Sequence, residues 1–184
     1  MVAGPLEEPR GPTARARLVI SCPDLGSCRR TRTALRRALP GADVARTDFR
    51  GVLTVECQGD VLALAEQVTR DCGPDTGHVT AVLDKVPSEP EAISGAAVRI
   101  GAEHVGPGES FAFRIRKRGA HGLVEATPEL ERAIGGAIWG ALQAKLGRAP
   151  RVDLSDPDVT IRAEVLGPLT FVGITRKAWR AGTT

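Results

Sequence analysis

From residue 17 the chain alternates short apolar runs with helical stripes, and this pattern predicts its elements in turn. Arg17–Cys22 (RLVISC) is a short strand ended by Pro23-Asp24. Ser27 predicts the cap of a helix running to about Leu39, where Pro40-Gly41 stops it. Asp43–Thr47 reads as a weak strand and Gly51–Cys57 (GVLTVEC) as a stronger one. Asp60 predicts the cap of a second helix, Val61 to about Asp71, with Val61, Leu64, Ala65 and Val68 as its apolar stripe. His78–Val86 closes the series as a strand.

Strand, helix, strand, strand, helix, strand is the order of a ferredoxin-like βαββαβ domain. Pro87-Ser88-Glu89-Pro90 then punctuates the chain, and a helix from about Glu91 to His104 follows. In Ser110–His121 (SFAFRIRKRGAH) Phe111, Phe113 and Ile115 share one strand face, while Arg114 and Arg116 share the other. Thr127-Pro128-Glu129 opens a helix to about Leu146, with Thr127 as its cap and Pro128 at the first position. Leu130, Ile134, Ala137, Ile138, Ala141 and Leu142 line one side of it, and Gly135, Gly136 and Gly140 predict a close approach to the sheet. Arg151–Leu154 is a brief extended piece. Val159, Ile161, Ala163 and Val165 alternate along a strand, and Gly167-Pro168 turns the chain back through Thr170–Thr175. The organisation is a tail (1–14), a first domain (15–88) and a second (89–184).

Charge changes this picture only locally. The 184 residues carry 25 Lys and Arg against 22 Asp and Glu, so a generally basic mode of nucleic-acid binding is excluded. Twenty-one of the basic residues are Arg, and Asn is absent, which removes every mechanism that needs its side chain. Cys22, Cys28, Cys57 and Cys72 form no CxxC pair and have no grouped histidines, so they read as reduced thiols of a cytoplasmic protein and no metal is expected. The N-terminus lacks the basic and apolar segments of a signal peptide, and the Val61–Ala65 run is too short to span a membrane.

Arginine clusters are the remaining candidates. Arg114, Arg116, Lys117 and Arg118 suit either phosphate contact or a solvated edge strand, with His121 beside them. Arg29, Arg30, Arg32, Arg36 and Arg37 crowd one helix with no acid from Leu25 to Ala42, which suits an RNA-facing helix or a solvated one. Arg50 sits where the loop before Gly51 presents it, and Arg148 and Arg151 extend the basic strand's patch. Asp153, Asp156 and Asp158 miss the pattern of a calcium loop and read as turn and cap residues. No nucleophile elbow, phosphate loop or zinc-protease motif occurs, and no cofactor is expected.

The basic strand Phe111–Arg118, the helix TPELERAIGGAI, the turn in RVDLSDPDVTIRAEVLG and the closing FVGI together resemble the THUMP domain, over about Glu89 to Lys177. The ferredoxin-like unit before them resembles its usual N-terminal companion, so the expected class is mixed α+β and α/β. The resemblance implies tRNA binding around the acceptor stem and 3′ end. It implies contacts from Arg114, Arg116, Lys117, Arg118 and His121. Most such proteins carry a catalytic domain. This chain is most similar to the stand-alone branch, to which the DFRGVL segment at Asp48 also points. That likeness implies a non-catalytic adaptor for an RNA acetyltransferase making N4-acetylcytidine; the alternative is a recognition subunit for thiolation or methylation. A βαββαβ unit also frames acylphosphatase-like hydrolases, but they need an asparagine and a glycine-rich loop after the first strand.

Overall fold

The computed structural model of the chain describes residues 15–73 and 75–180, so the expected tail at 1–14 lies outside the described residues. Its strands join into one eight-stranded sheet in the order β2-β3-β1-β4-β8-β7-β5-β6. The first half supplies β1 (Arg15–Ser21), α1 (Leu25–Ala38), β2 (Asp43–Arg46), β3 (Val52–Gln58), α2 (Val61–Asp71) and β4 (His78–Pro87). Within it β1 runs antiparallel to both β3 and β4, and β2 antiparallel to β3. The second half supplies α3 (Pro90–His104), β5 (Ser110–Arg118), α4 (Thr127–Leu146), β6 (Arg151–Val152), β7 (Val159–Leu166) and β8 (Leu169–Arg176). Lys177–Arg180 adds a short 3₁₀ turn.

The halves meet at an antiparallel β4–β8 seam with a bulge between Val82 and Asp84. Gly173 sits at that seam because any Cβ there would lie 1.9 Å from the Ala81 carbonyl oxygen. Close backbone approach of this kind is open only to glycine.

All four helices cover one side of the sheet. Leu18, Ile20, Leu53, Val55, Val79 and Ala81 from the first half share one core with Phe111, Phe113, Ile115, Ile161, Ala163 and Ile174 from the second. Strand alternation sends the intervening residues to the opposite, helix-free side. There Val19, Val52 and Leu166 form a small second cluster with Phe49, Val82 and Phe171. Phe49, in the loop after β2, stands where a Cβ on Gly119 would meet its ring at 2.5 Å. The sheet is curled, so that Arg118 of β5 reaches across to hydrogen-bond the Ser21 hydroxyl of β1 at 2.9 Å.

Four local expectations are corrected. The α1 cap is Asp24, not Ser27: its carboxylate accepts from the Ser27 N–H at 2.8 Å and the Ser27 hydroxyl at 2.7 Å, placing Ser27 in the first turn. Helix α4 is capped by Ala126, so Thr127 is already helical; Glu129 accepts from the Ala126 N–H at 3.4 Å, while alanine has no side-chain oxygen to offer in return. Ala137 is exposed, and the buried stripe is Leu130, Ile134, Ile138 and Leu142. Nor do the α4 glycines bring the helix close to anything, since a Cβ on Gly135, Gly136 or Gly140 would meet open space. The close contact comes from α3, where a Cβ on Gly101 would lie 2.8 Å from the Ile138 Cγ2.

Candidate nucleic-acid interface

The helix-free side of the sheet holds most of the convergent charge. On β5 the expected alternation places Arg114, Arg116 and Arg118 on this side, and β7 aligns Arg162 with Arg114 and Glu164 with Arg116. β4 begins here with His78, opposite Ser21. The result is a cleft bordered by Arg114, Arg116, Arg162, Arg176, Lys177 and Arg180, with Glu131 and Asp156 as its acids.

Each arginine has a different fate. Arg116 is exposed, and its side chain has no hydrogen bond or ion pair among the described residues. Arg114 donates to the Leu154 carbonyl at 2.7 Å and lies 3.5 Å from Glu131, which steadies it at the cleft wall. Arg176 is braced by Glu109 at 2.8 Å and by the His104 carbonyl at 2.7 Å. Lys177 pairs with Asp156. Arg162 is buried beside Glu164 at 3.4 Å, and Arg118 pairs with the same carboxylate at 2.6 Å. Burial lowers the Arg162 pKa from its ordinary value, and the Glu164 charge opposes that.

His78 lies within 3.4 Å of the Arg180 guanidinium. Burial, followed by the charges of Arg162 and Arg180, pushes its imidazole down to about 4. It is therefore neutral near pH 7, and the cleft's positive charge is carried by arginine and lysine alone.

Of the residues expected from sequence, the cleft gathers Arg114 and Arg116. Lys117 follows the opposite face of β5 and donates to the Glu125 carbonyl at 2.7 Å. Arg118 is turned into the fold by Glu164 and Ser21. The His121 Nδ1 accepts from the Leu123 N–H at 3.1 Å, tightening its own loop. Arg50, Arg148 and Arg151 are exposed and do not line the cleft. Arg29 and Arg36 are exposed on α1, across the sheet, while Arg30 is held by Asp75 at 2.6 and 2.7 Å. Sequence reasoning missed His78, Arg162, Arg176, Lys177 and Arg180. Arg162 was within reach, because the alternation that buries Ile161 and Ala163 sends it to the Arg114 side.

The acidic turn is structural. Asp153 accepts from the Asp156 and Ser155 N–H groups, which hold its carboxyl below the usual range. Asp158 does the same for the Ser110 N–H and hydroxyl, pinning the start of β5. Among the described residues no three His, Cys, Asp or Glu side chains are placed to hold a metal ion. Burial pushes the Cys22 thiol up to about 12 and Cys72 up to about 11, so neither is a thiolate near pH 7.

Residues 88–175 match the family model of the THUMP domain. A probable tRNA sulfurtransferase of Methanosarcina mazei is 33% identical over 100 residues, which are 53% of this chain and 24% of that protein. One from Halobacterium salinarum is 32% identical over 109 residues, 58% of this chain and 26% of its own length. The chain thus spans about a quarter of the length of these curated relatives. Among solved structures, TrmN from Thermus thermophilus has a TM-score of 0.55 at 23% identity, covering 89% of this chain and 46% of that one. A 4-thiouridine synthetase in a complex with RNA and ATP has a TM-score of 0.58 at 15% identity, covering 89% of this chain and 42% of that one. At these identities the likeness concerns the fold, and its coverage takes in both halves of the sheet.

Proposed function

Because residues 88–175 of this chain are a THUMP domain, we propose that the protein binds tRNA through the basic cleft and presents it to a modifying enzyme supplied by another chain. One observation carries this reading: six cationic residues, Arg114 to Arg180, border one cleft, where Glu131, Glu164, Glu109 and Asp156 pair with four of them and Arg116 makes no ion pair among the described residues. Guanidinium groups match phosphate oxygens in fork geometry, so such a cleft suits a sugar-phosphate backbone. A-form RNA offers little to base readout by a sheet face, so recognition is by shape and backbone. The acceptor stem and 3′ end are the part of tRNA we assign to it. We also read residues 15–88 as the ferredoxin-like companion domain and residues 89–184 as the domain that grips RNA, in a cytoplasmic, non-catalytic protein.

Two modifications fit. The DFRGVL segment at Asp48 points to N4-acetylcytidine, while the names of the curated relatives favour thiolation. The modification profile of tRNA from cells lacking the protein separates them by which mark is lost. Binding itself is tested by filter binding of total tRNA over a salt series, in which affinity falls steeply as salt rises. Arg116→Gln combined with Arg180→Gln weakens it. Salt-insensitive binding, or the same affinity in the variant, overturns the cleft as the site.

A further inference from the structure

The cleft leaves the arginines of α1 unexplained. That helix buries Cys28, Thr31 and Leu35 against the sheet. At 100° per residue, Arg29, Arg32 and Arg36 fall in one stripe about 60° wide and about 10 Å long on the flank of the helix beside Cys28. At the end of β2, Arg46 pairs in register with Leu53, a core residue on the helix-covered side, so it projects toward α1. Leu25, Cys28, Arg29, Arg32, Arg46 and Leu53 line a single hollow there.

These guanidinium groups are uncommitted. Among the described residues Arg29, Arg32, Arg36 and Arg46 have no side-chain hydrogen bond or ion pair, in contrast to Arg30, which Asp75 holds. No acid lies between Leu25 and Ala42 to offset them. Arg32 and Arg36 are one turn apart, a spacing at which like charges repel. An anionic ligand relieves that repulsion. Its class follows from what the surface lacks: no aromatic residue lines the hollow, and a protein interface usually centres on apolar and aromatic groups.

We propose that α1 and the end of β2 form a second phosphate-binding surface, which holds the sugar-phosphate backbone of RNA on the side of the sheet opposite the cleft. The proposal rests on the reading that the ligand is RNA, and it does not rest on the cleft. The two surfaces lie on opposite sides of one sheet, so a single RNA touching both passes around its edge.

The test uses the full chain with total tRNA in filter-binding salt series. Arg29→Gln, Arg32→Gln and Arg36→Gln together should lower the slope of log K against log salt by about 2–3, since each phosphate contact contributes about 0.7–0.9. Residual binding remains through the cleft. The same three positions changed to Lys keep the charge and should keep the slope, which separates lost charge from a damaged helix; thermal melting checks that each variant folds. A Gln triple variant that superposes on the wild type overturns this proposal while leaving the cleft reading intact if Arg116→Gln with Arg180→Gln is weakened. A weakened Gln triple with an unaffected cleft variant supports the proposal and refutes the cleft. No tRNA binding by the wild type refutes both.

Discussion

Glu164→Gln is the sharpest probe of how the curled sheet is held. The carboxylate is about 1% exposed and sits between Arg118 and Arg162, whose side chains are 13% and 10% exposed. Glutamine keeps the shape and an acceptor oxygen but removes the charge, leaving two buried guanidinium groups without a counter-ion. Breaking a buried pair in this way costs about 3–5 kcal/mol, because the remaining charge keeps its desolvation penalty. In a chain of this size that corresponds to a fall in Tm of roughly 6–20 °C. Urea denaturation followed by circular dichroism measures it, with an unchanged m-value showing that the folded state is still formed. Replacing all three residues together by Leu and Met of similar volume should recover most of the loss, since buried ion clusters are often matched by well-packed apolar groups. A loss below about 1 kcal/mol for Glu164→Gln would refute the reasoning: it would mean that water reaches these charges and that the curl does not depend on them.

Other perturbations separate the remaining parts of the argument. Gly173→Ala should destabilise the β4–β8 seam, with early loss of amide protection in β4 and β8 on hydrogen exchange, because its Cβ meets the Ala81 carbonyl. Gly101→Ala overpacks against the β-branched Ile138 and should cost about 1–3 kcal/mol in urea melts, whereas Gly136→Ala and Gly140→Ala, facing open space, should each stabilise by about 0.5–1 kcal/mol. The His78 imidazole is depressed from 6.5 to about 4, so its contribution is complete above pH 6.5 and is lost as pH falls toward 4. That contribution is at most about 3 kcal/mol, and less where solvent screens the ring. Comparing wild type with His78→Gln at pH 7 and 4.5 reads it: the wild type should lose more stability than the variant, and parallel losses count against it.

How far the sequence reveals this molecule depends on how far apart the deciding residues lie. Strand periodicity is local, and it correctly divided β5 into a buried Phe111, Phe113 and Ile115 face and an arginine face. The same rule extended to β7 would have placed Arg162. Pairing is not local. Arg118 is withdrawn from solvent by Glu164, 46 residues on, and by Ser21, 97 residues back, and only the curl of the completed sheet brings them together. The glycines of α4 mislead for a related reason. Glycine within a helix signals either close packing or an open face, and the choice depends on α3, where Gly101 makes the close contact instead.

Arginine count is therefore a poor guide to a binding surface here, and the fate of each guanidinium is a better one. A cation matched by a buried acid of the neighbouring strand stabilises the fold and is lost to a ligand, as with Arg118 and Glu164. One braced at the cleft wall, such as Arg114 by the Leu154 carbonyl and a long contact to Glu131, is held in place while it still lines the cleft. One that makes no ion pair among the described residues, such as Arg116 on the sheet or Arg29, Arg32 and Arg36 on α1, keeps its charge for a partner. Strand parity gives the side on which a residue stands, and the acids of distant strands decide whether it remains available. That division is why the two proposed surfaces, on opposite sides of one sheet, rest on individual guanidinium groups in a chain whose net charge is only +3.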